Sequence, residues 1–164
     1  MIMNISKHRI FALIVGAILI AADQFAKIFV ARNFDMYEEK TLIKGILEFY
    51  YLPNDGAAMG IMSGKAWYLV FVTGAVIIAI LIYMFFGRIK SPLLMWSLGL
   101  ITSGGIGNLI DRIRLKYVID FVRFPVSWFN YSFNIADCAV TIGAALIMLY
   151  FIIDIFKSKQ KNEA

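Results

Sequence analysis

Residues 66–86 read AWYLVFVTGAVIIAILIYMFF, twenty-one positions without one charged side chain. A helix rises about 1.5 Å per residue, so a run of this length covers about the 30 Å of a bilayer's hydrocarbon core. An apolar run of that extent reads as a membrane span, because a core helix of a soluble domain is shorter and keeps a polar face. Working outward, Gly87-Arg88-Ile89-Lys90-Ser91-Pro92 makes a tight basic turn, and Pro92 suits the first turn of the next helix. Three further apolar stretches follow the same pattern, and the spans are expected at about 10–31, 66–86, 93–112 and 133–156. Apolar residues make up 61% of the 164 and charged residues 16%, against roughly 45–50% and 25% in a soluble domain. The expected fold is an all-α membrane protein, a single polytopic domain over 1–164 with outer loops at 32–65 and 113–132.

The first stretch follows Lys7-His8-Arg9, as the apolar part of a cleavable leader would. Helical character continues past Asp23 to Val30, and Ala21-Ala22 is a weak cleavage site, so an uncleaved span is expected. Lys7, Arg9, Arg88, Lys90, Lys157, Lys159 and Lys161 crowd two short tails and one short turn, which places those segments and both termini in the cytoplasm. The same reading accounts for the net charge of +5 without nucleic acid, since the basic residues flank apolar stretches and form no separate stripe. Residues 37–51 partly alternate and are rich in aromatics before the turn signal Pro53-Asn54-Asp55-Gly56, so a small sheet is expected on the outer surface. In the third span Gly99, Ser103 and Gly107 recur every four residues and make a smooth ridge for helix packing. Gly104 and Gly105 widen that face and could admit an extended peptide backbone.

A carboxylate in hydrocarbon costs at least roughly 2.5–3.5 kcal/mol on insertion scales, so each one needs a partner or a task. Asp23 and Lys27 lie one helical turn apart and could neutralise each other. Asn108, Asp111 and Arg112 stand at i, i+3 and i+4, either as a network holding a helix end to a loop or as part of a site. Asp120 sits in the apolar run Tyr117-Val118-Ile119-Asp120-Phe121-Val122, where it could be catalytic or a strand-end or N-cap acceptor. Asn134 and Asp137 share one face of the fourth helix. Two carboxyls that meet away from water can hold one proton between them, and such a pair can activate water against a peptide bond.

Other protease chemistries fail on residue supply. His8 is the only histidine, which removes His-based metal sites and Ser-His pairs. Ser63 and Lys65 are poorly placed for a Ser-Lys dyad, and Gly105-Ile106-Gly107 is followed by Asn108 where a Gly-x-Gly-Asp signature would need an acid. The lone Cys138 cannot form an internal disulfide, lacks a histidine to activate it, and is read as a small buried core thiol.

Five blocks together resemble the type II, or lipoprotein, signal peptidases. They are Asp23-Gln24-Phe25-Ala26-Lys27, Asn54-Asp55-Gly56-Ala57-Ala58, residues 104–112 (GGIGNLIDR), Val118-Ile119-Asp120-Phe121 and Phe133-Asn134-Ile135-Ala136-Asp137. The resemblance implies four transmembrane helices with a small extracytoplasmic β-cradle and a further outer loop over the site. It implies an aspartyl endopeptidase without cofactor or metal, with Asp120 and Asp137 as the catalytic pair, a choice that spacing alone leaves open to Asp111. Asn54, Gly56, Asn108, Arg112 and Asn134 are then expected to line the site or bind substrate, with Asp23, Lys27 and Asp111 in support. The implied substrate is a prolipoprotein carrying diacylglycerol on a cysteine and cut just before it, and globomycin-type cyclic peptides are the implied inhibitors. Met59 departs from the family, which usually has an aromatic residue there.

The expected setting is a bacterial plasma membrane, with lipid as a partner, a monomeric chain, and a site facing the extracytoplasmic side. A small proton-coupled transporter would also use intramembrane carboxylates, but they would line a path through the bilayer. Here they gather at one end of the expected bundle, and the second span has none. A membrane scaffold would leave them without a task.

Overall fold

Small side chains put one helix at the centre of the bundle. In this computed structural model, which describes residues 2–56, 63–126 and 129–163, the spans are α1 (Ile2–Asn33), α2 (Ala66–Phe86), α3 (Pro92–Leu115) and α4 (Ile135–Glu163). All four are long and apolar enough to cross a membrane. The α3 helix packs on each of the others and is the most buried. Its Gly99 faces Ala12 of α1, Ser103 faces Gly16 of α1, and Gly107 lies against Asp23 and Ala136. The ridge therefore brings α1 and α4 close, which matters in lipid because packing, not the hydrophobic effect, draws helices together there. Gly104 and Gly105 do not leave room for a peptide backbone as expected. Gly104 abuts the Ala136 carbonyl and Val140 of α4, and Gly105 abuts Ile77 of α2. On the outside, Phe25, Phe71 and Phe86 are 75%, 72% and 84% exposed, which suits lipid contact and would be a liability in water.

The helix ends follow local chemistry. The α2 helix stops at Gly87, as its uncharged run predicts. Ser91 caps α3 by accepting from the Leu94 amide at 3.4 Å, with Pro92 in its first turn. That helix runs on to Leu115, past the expected 112, until Lys116 takes the left-handed conformation (φ 72°) and closes it. The α4 helix begins at Ile135, not 133, because Phe133 is still paired in a strand. It continues to Glu163 and α1 reaches back to Ile2, both beyond the expected limits of 156 and 10.

The sheet is larger than residues 37–51 alone suggested. Four antiparallel strands lie in the order β1 (Glu39–Ile43), β2 (Leu47–Asn54), β3 (Val118–Val126) and β4 (Phe129–Phe133), so the second outer loop supplies half of it. The β1–β2 hairpin turns at Gly45, whose φ of 74° favours a residue without Cβ. Pro53 and Asn54, expected in a turn, instead end β2 opposite Ile119 and Val118. The sheet's apolar face closes on the end of α1 through buried Val30, Tyr51, Ile119 and Phe121, with the Phe34 and Phe49 rings stacked 4.3 Å apart. Toward the outer strands Arg123 bridges Glu39 and Glu48 and lies over the Tyr50 ring. Ala57, Ala58 and Met59 lie outside the described residues.

Candidate active site

The first turn of α4 is built by a reciprocal cap. Asn134 precedes the helix and its Oδ1 accepts from the Asp137 amide at 2.9 Å, while Asp137 Oδ2 accepts from the Asn134 amide at 3.2 Å. This is a capping box in an Asn-x-x-Asp setting, and it satisfies two donors that a helix start would otherwise strand in hydrocarbon. A third donor, the Ala136 amide, is taken by Asp23 Oδ1 of α1 at 2.9 Å. Three sequence-predicted residues thus meet at one helix terminus, where negative charge is favoured by the helix dipole.

Strand β3 delivers Asp120 to the same place. The carboxylate is 1% exposed, and each oxygen accepts one amide: Oδ1 from Asn134 Nδ2 at 2.7 Å and Oδ2 from Asn54 Nδ2 at 2.9 Å. Asn54 reaches it because the β2–β3 register sets Leu52 opposite Asp120, and residues two apart on a strand share a face. Asp137 Oδ1 accepts from Asn108 Nδ2 at 2.7 Å. Asn134 is therefore bonded to both carboxylates, through its side chain to Asp120 and through its backbone to Asp137. Burial, and then the negative charge of Asp137, push the Asp120 carboxyl up to about 7, against the pull of the Asn54 and Asn134 amides and the more distant Lys27 charge. Burial, followed by the charges of Asp137 and Asp120, also raises Tyr131 on β4 above an ordinary phenol.

Beneath the pair lies a buried ionic network. Lys27, 1% exposed, contacts Asp23 Oδ2 at 2.8 Å and Asp111 Oδ2 at 2.9 Å and donates to Asn108 Oδ1 at 3.0 Å. The expected Asp23–Lys27 pair exists, but it is one side of a two-helix arrangement. Asp111 Oδ2 also accepts from the Ile119 amide at 3.2 Å, which ties β3 to α3 one residue before Asp120. Gln24 has a role that its sequence context did not single out. Its Nε2 donates to Asp111 Oδ1 at 3.0 Å and to the Gly107 carbonyl at 3.2 Å, locking α1 to α3. Its place next to Asp23 was the only hint, since the partner helix is remote in sequence. Asn108 sits between the two layers, with its carbonyl on Lys27 and its amide on Asp137.

Arg112 Nη2 donates to the Gly56 carbonyl at 2.9 Å, holding the end of α3 to the first outer loop. Its buried Nε has no partner among the described residues. Ser63 donates to Asp55 at 2.6 Å and takes no part in the cluster. Cys138 corrects an expectation, because it is exposed on the outer side of α4 rather than buried in the core. Its neighbour Asp137 faces α3, and one residue along a helix turns a side chain by about 100°. The arrangement presents two carboxyls held by amide donors at one end of a membrane bundle, a setting suited to moving one proton to and from water.

The sequence model of the family described as signal peptidase (SPase) II matches residues 15–153. The chain is 44% identical over 140 residues to a lipoprotein signal peptidase of Lactobacillus johnsonii, covering 85% of this chain and 90% of that one. It is 42% identical over 137 residues to a lipoprotein signal peptidase of Halothermothrix orenii, covering 84% and 92%. Among solved structures it resembles a bacterial membrane enzyme determined by the in meso method at 2.3 Å, with a TM-score of 0.81, 27% identity, and 88% and 89% of the two chains covered.

Proposed function

The chain belongs to the signal peptidase II family, and we propose that it removes the signal peptide of diacylglyceryl-modified prolipoproteins, using Asp120 and Asp137 to activate water. One proton is held by the pair. The ionised carboxyl takes a proton from water as the oxygen attacks the carbonyl carbon before the lipidated cysteine, and the protonated carboxyl donates to the carbonyl oxygen. The tetrahedral intermediate then breaks its C–N bond, the cysteine nitrogen leaves with a proton, and the leader ends in a new carboxylate. The observation that carries this reading is the pair of hydrogen bonds donated by Asn134, from its side-chain amide to Asp120 at 2.7 Å and from its backbone amide to Asp137 at 3.2 Å, which joins acids that lie 17 residues apart on a strand and a helix.

Asn54, Asn108 and Asn134 orient the pair, Arg112 and Gly56 shape the approach for substrate, and Asp23, Lys27 and Asp111 support the floor. The lipid anchor holds the scissile bond at bilayer depth, so lipidation provides proximity as well as recognition. Both termini lie in the cytoplasm, and the site opens to the extracytoplasmic face. Purified protein incubated with a lipidated precursor is expected to release the leader, and globomycin is expected to block that release. Asp120→Asn and Asp137→Asn are each expected to lose cleavage while keeping helical content and monodispersity in detergent. Full activity in either variant refutes the assignment.

A further inference from the structure

At the other end of the bundle lies a cleft lined by both charged and apolar side chains. On α4 Asp154 follows Asp137 by 17 residues, about 26 Å of helix rise, which carries it to the opposite margin of a hydrocarbon core about 30 Å thick. There Lys90 and Ser91, from the turn that opens α3, face Tyr150, Asp154 and Lys157 of α4 across a cleft of about 690 Å³. Lysines that only fix orientation need not share a cavity, yet these two come from separate elements and line one. No ion pair within 4 Å joins Lys90 or Lys157 to Asp154 among the described residues. Ile153 in the lining is 38% exposed, so the cleft meets lipid-facing surface there.

We propose that this cleft binds the headgroup of an anionic phospholipid that carries hydroxyl groups, the class represented by phosphatidylglycerol. Two ammonium groups and one carboxylate leave one positive charge in excess, which matches the single negative charge of a phosphodiester. The phosphate sits between Lys90 and Lys157, beside the positive end of the 24-residue α3 helix. Asp154 accepts from the headgroup hydroxyls, and an acyl chain follows Ile153 into the hydrocarbon. This explains an acid set within the apolar run Ile152-Ile153-Asp154-Ile155-Phe156, where a carboxylate without a donor is costly.

Native mass spectrometry of the full chain in detergent, mixed with phosphatidylglycerol, phosphatidylmethanol or phosphatidylcholine, tests this. The wild type is expected to retain phosphatidylglycerol about tenfold or more over phosphatidylcholine, and to favour it over phosphatidylmethanol, which has the same charge without hydroxyls. The double variant K90Q/K157Q is expected to lose the preference for anionic lipid. Asp154→Asn is expected to retain phosphatidylglycerol and phosphatidylmethanol alike. Cleavage of a lipidated precursor at the wild-type rate in detergent verifies that each variant is folded. Equal retention of phosphatidylcholine by the wild type, or undiminished phosphatidylglycerol in K90Q/K157Q, overturns the site. An unchanged preference over phosphatidylmethanol in Asp154→Asn overturns the hydroxyl contact.

Discussion

Asp120 is more expensive to ionise in the folded chain than in the unfolded one, and that difference has a measurable sign. Its carboxyl is pushed up to about 7 by burial and then by Asp137, whereas an unfolded Asp titrates near about 3.9. Between these values the native state holds the extra proton, so stability is greatest below about 4 and falls as pH rises through about 7, with a slope of up to about 1.4 kcal/mol per pH unit. Unfolding titrations at stepped pH are expected to show this fall in the wild type and to lack it in Asp120→Asn. A wild-type profile that rises over the same window contradicts it. Lys27 makes the opposite case. It neutralises Asp23 and Asp111 inside the bundle, at 2.8 and 2.9 Å, and replacing it by methionine leaves two buried acids facing each other. Lys27→Met is therefore expected to lose about 3–5 kcal/mol of stability, read as unfolding at a lower fraction of denaturing detergent. Adding Asp23→Asn and Asp111→Asn to that variant is expected to recover a large part of the loss.

Helix contacts, not helix existence, separate the glycines by effect. A Cβ on Gly104 would overlap the Ala136 carbonyl oxygen and lie 2.7 Å from Val140 Cγ2, so the first turn of α4 must move and take Asn134 and Asp137 with it. Gly104→Ala is expected to lower cleavage more than tenfold and stability by about 1–3 kcal/mol. A Cβ on Gly74 of α2 meets nothing within 4 Å, so Gly74→Ala is expected to leave cleavage unchanged and to add about 0.5–1 kcal/mol from helix propensity. Parallel cleavage and unfolding measurements on the two variants check the contrast. The same distinction explains what could be read from the sequence. The α2 helix has the predicted limits because its uncharged run is bounded by Lys65 and Gly87. The ends of α3 and α4 shifted because strand pairing of Phe133 and the left-handed turn at Lys116 are decided by neighbours outside the helix. Cys138 was misplaced because an apolar helix gives no sign of which side faces lipid. The acids and asparagines of the cluster were legible as residues out of place in apolar segments. Their pairing was not, since Asn54 meets Asp120 only through the β2–β3 register and Gln24 meets Asp111 only through helix packing.

Taken as a whole, the molecule has two unlike ends, and the charge pattern predicts which faces the cytoplasm. The sheet and the Asp120–Asp137 cluster occupy one end, while the turn of residues 87–91 and the last turns of α4 occupy the other. Arg88, Lys90, Lys157 and Lys159 concentrate positive charge in the short segments of that second end. The positive-inside bias acts on short loops beside spans, so these four outweigh the basic residues spread over the longer outer loops. The native thiol must first be removed, because Cys138 is exposed on α4 and could itself react. In a Cys138→Ala background, Thr41→Cys places a thiol on the exposed strand β1 and Ser158→Cys places one on the exposed end of α4. A membrane-impermeant maleimide added to intact cells or spheroplasts is expected to label Thr41→Cys strongly and to leave Ser158→Cys unlabelled until the membrane is permeabilised. The reverse pattern would turn the carboxylates toward the cytoplasm, away from the membrane face where the proposed scissile bond lies, and would remove the topological basis of the proposed cleavage. Labelling of both sites before permeabilisation would mean a leaky preparation or mixed insertion, which a cytoplasmic thiol protein in the same cells tells apart.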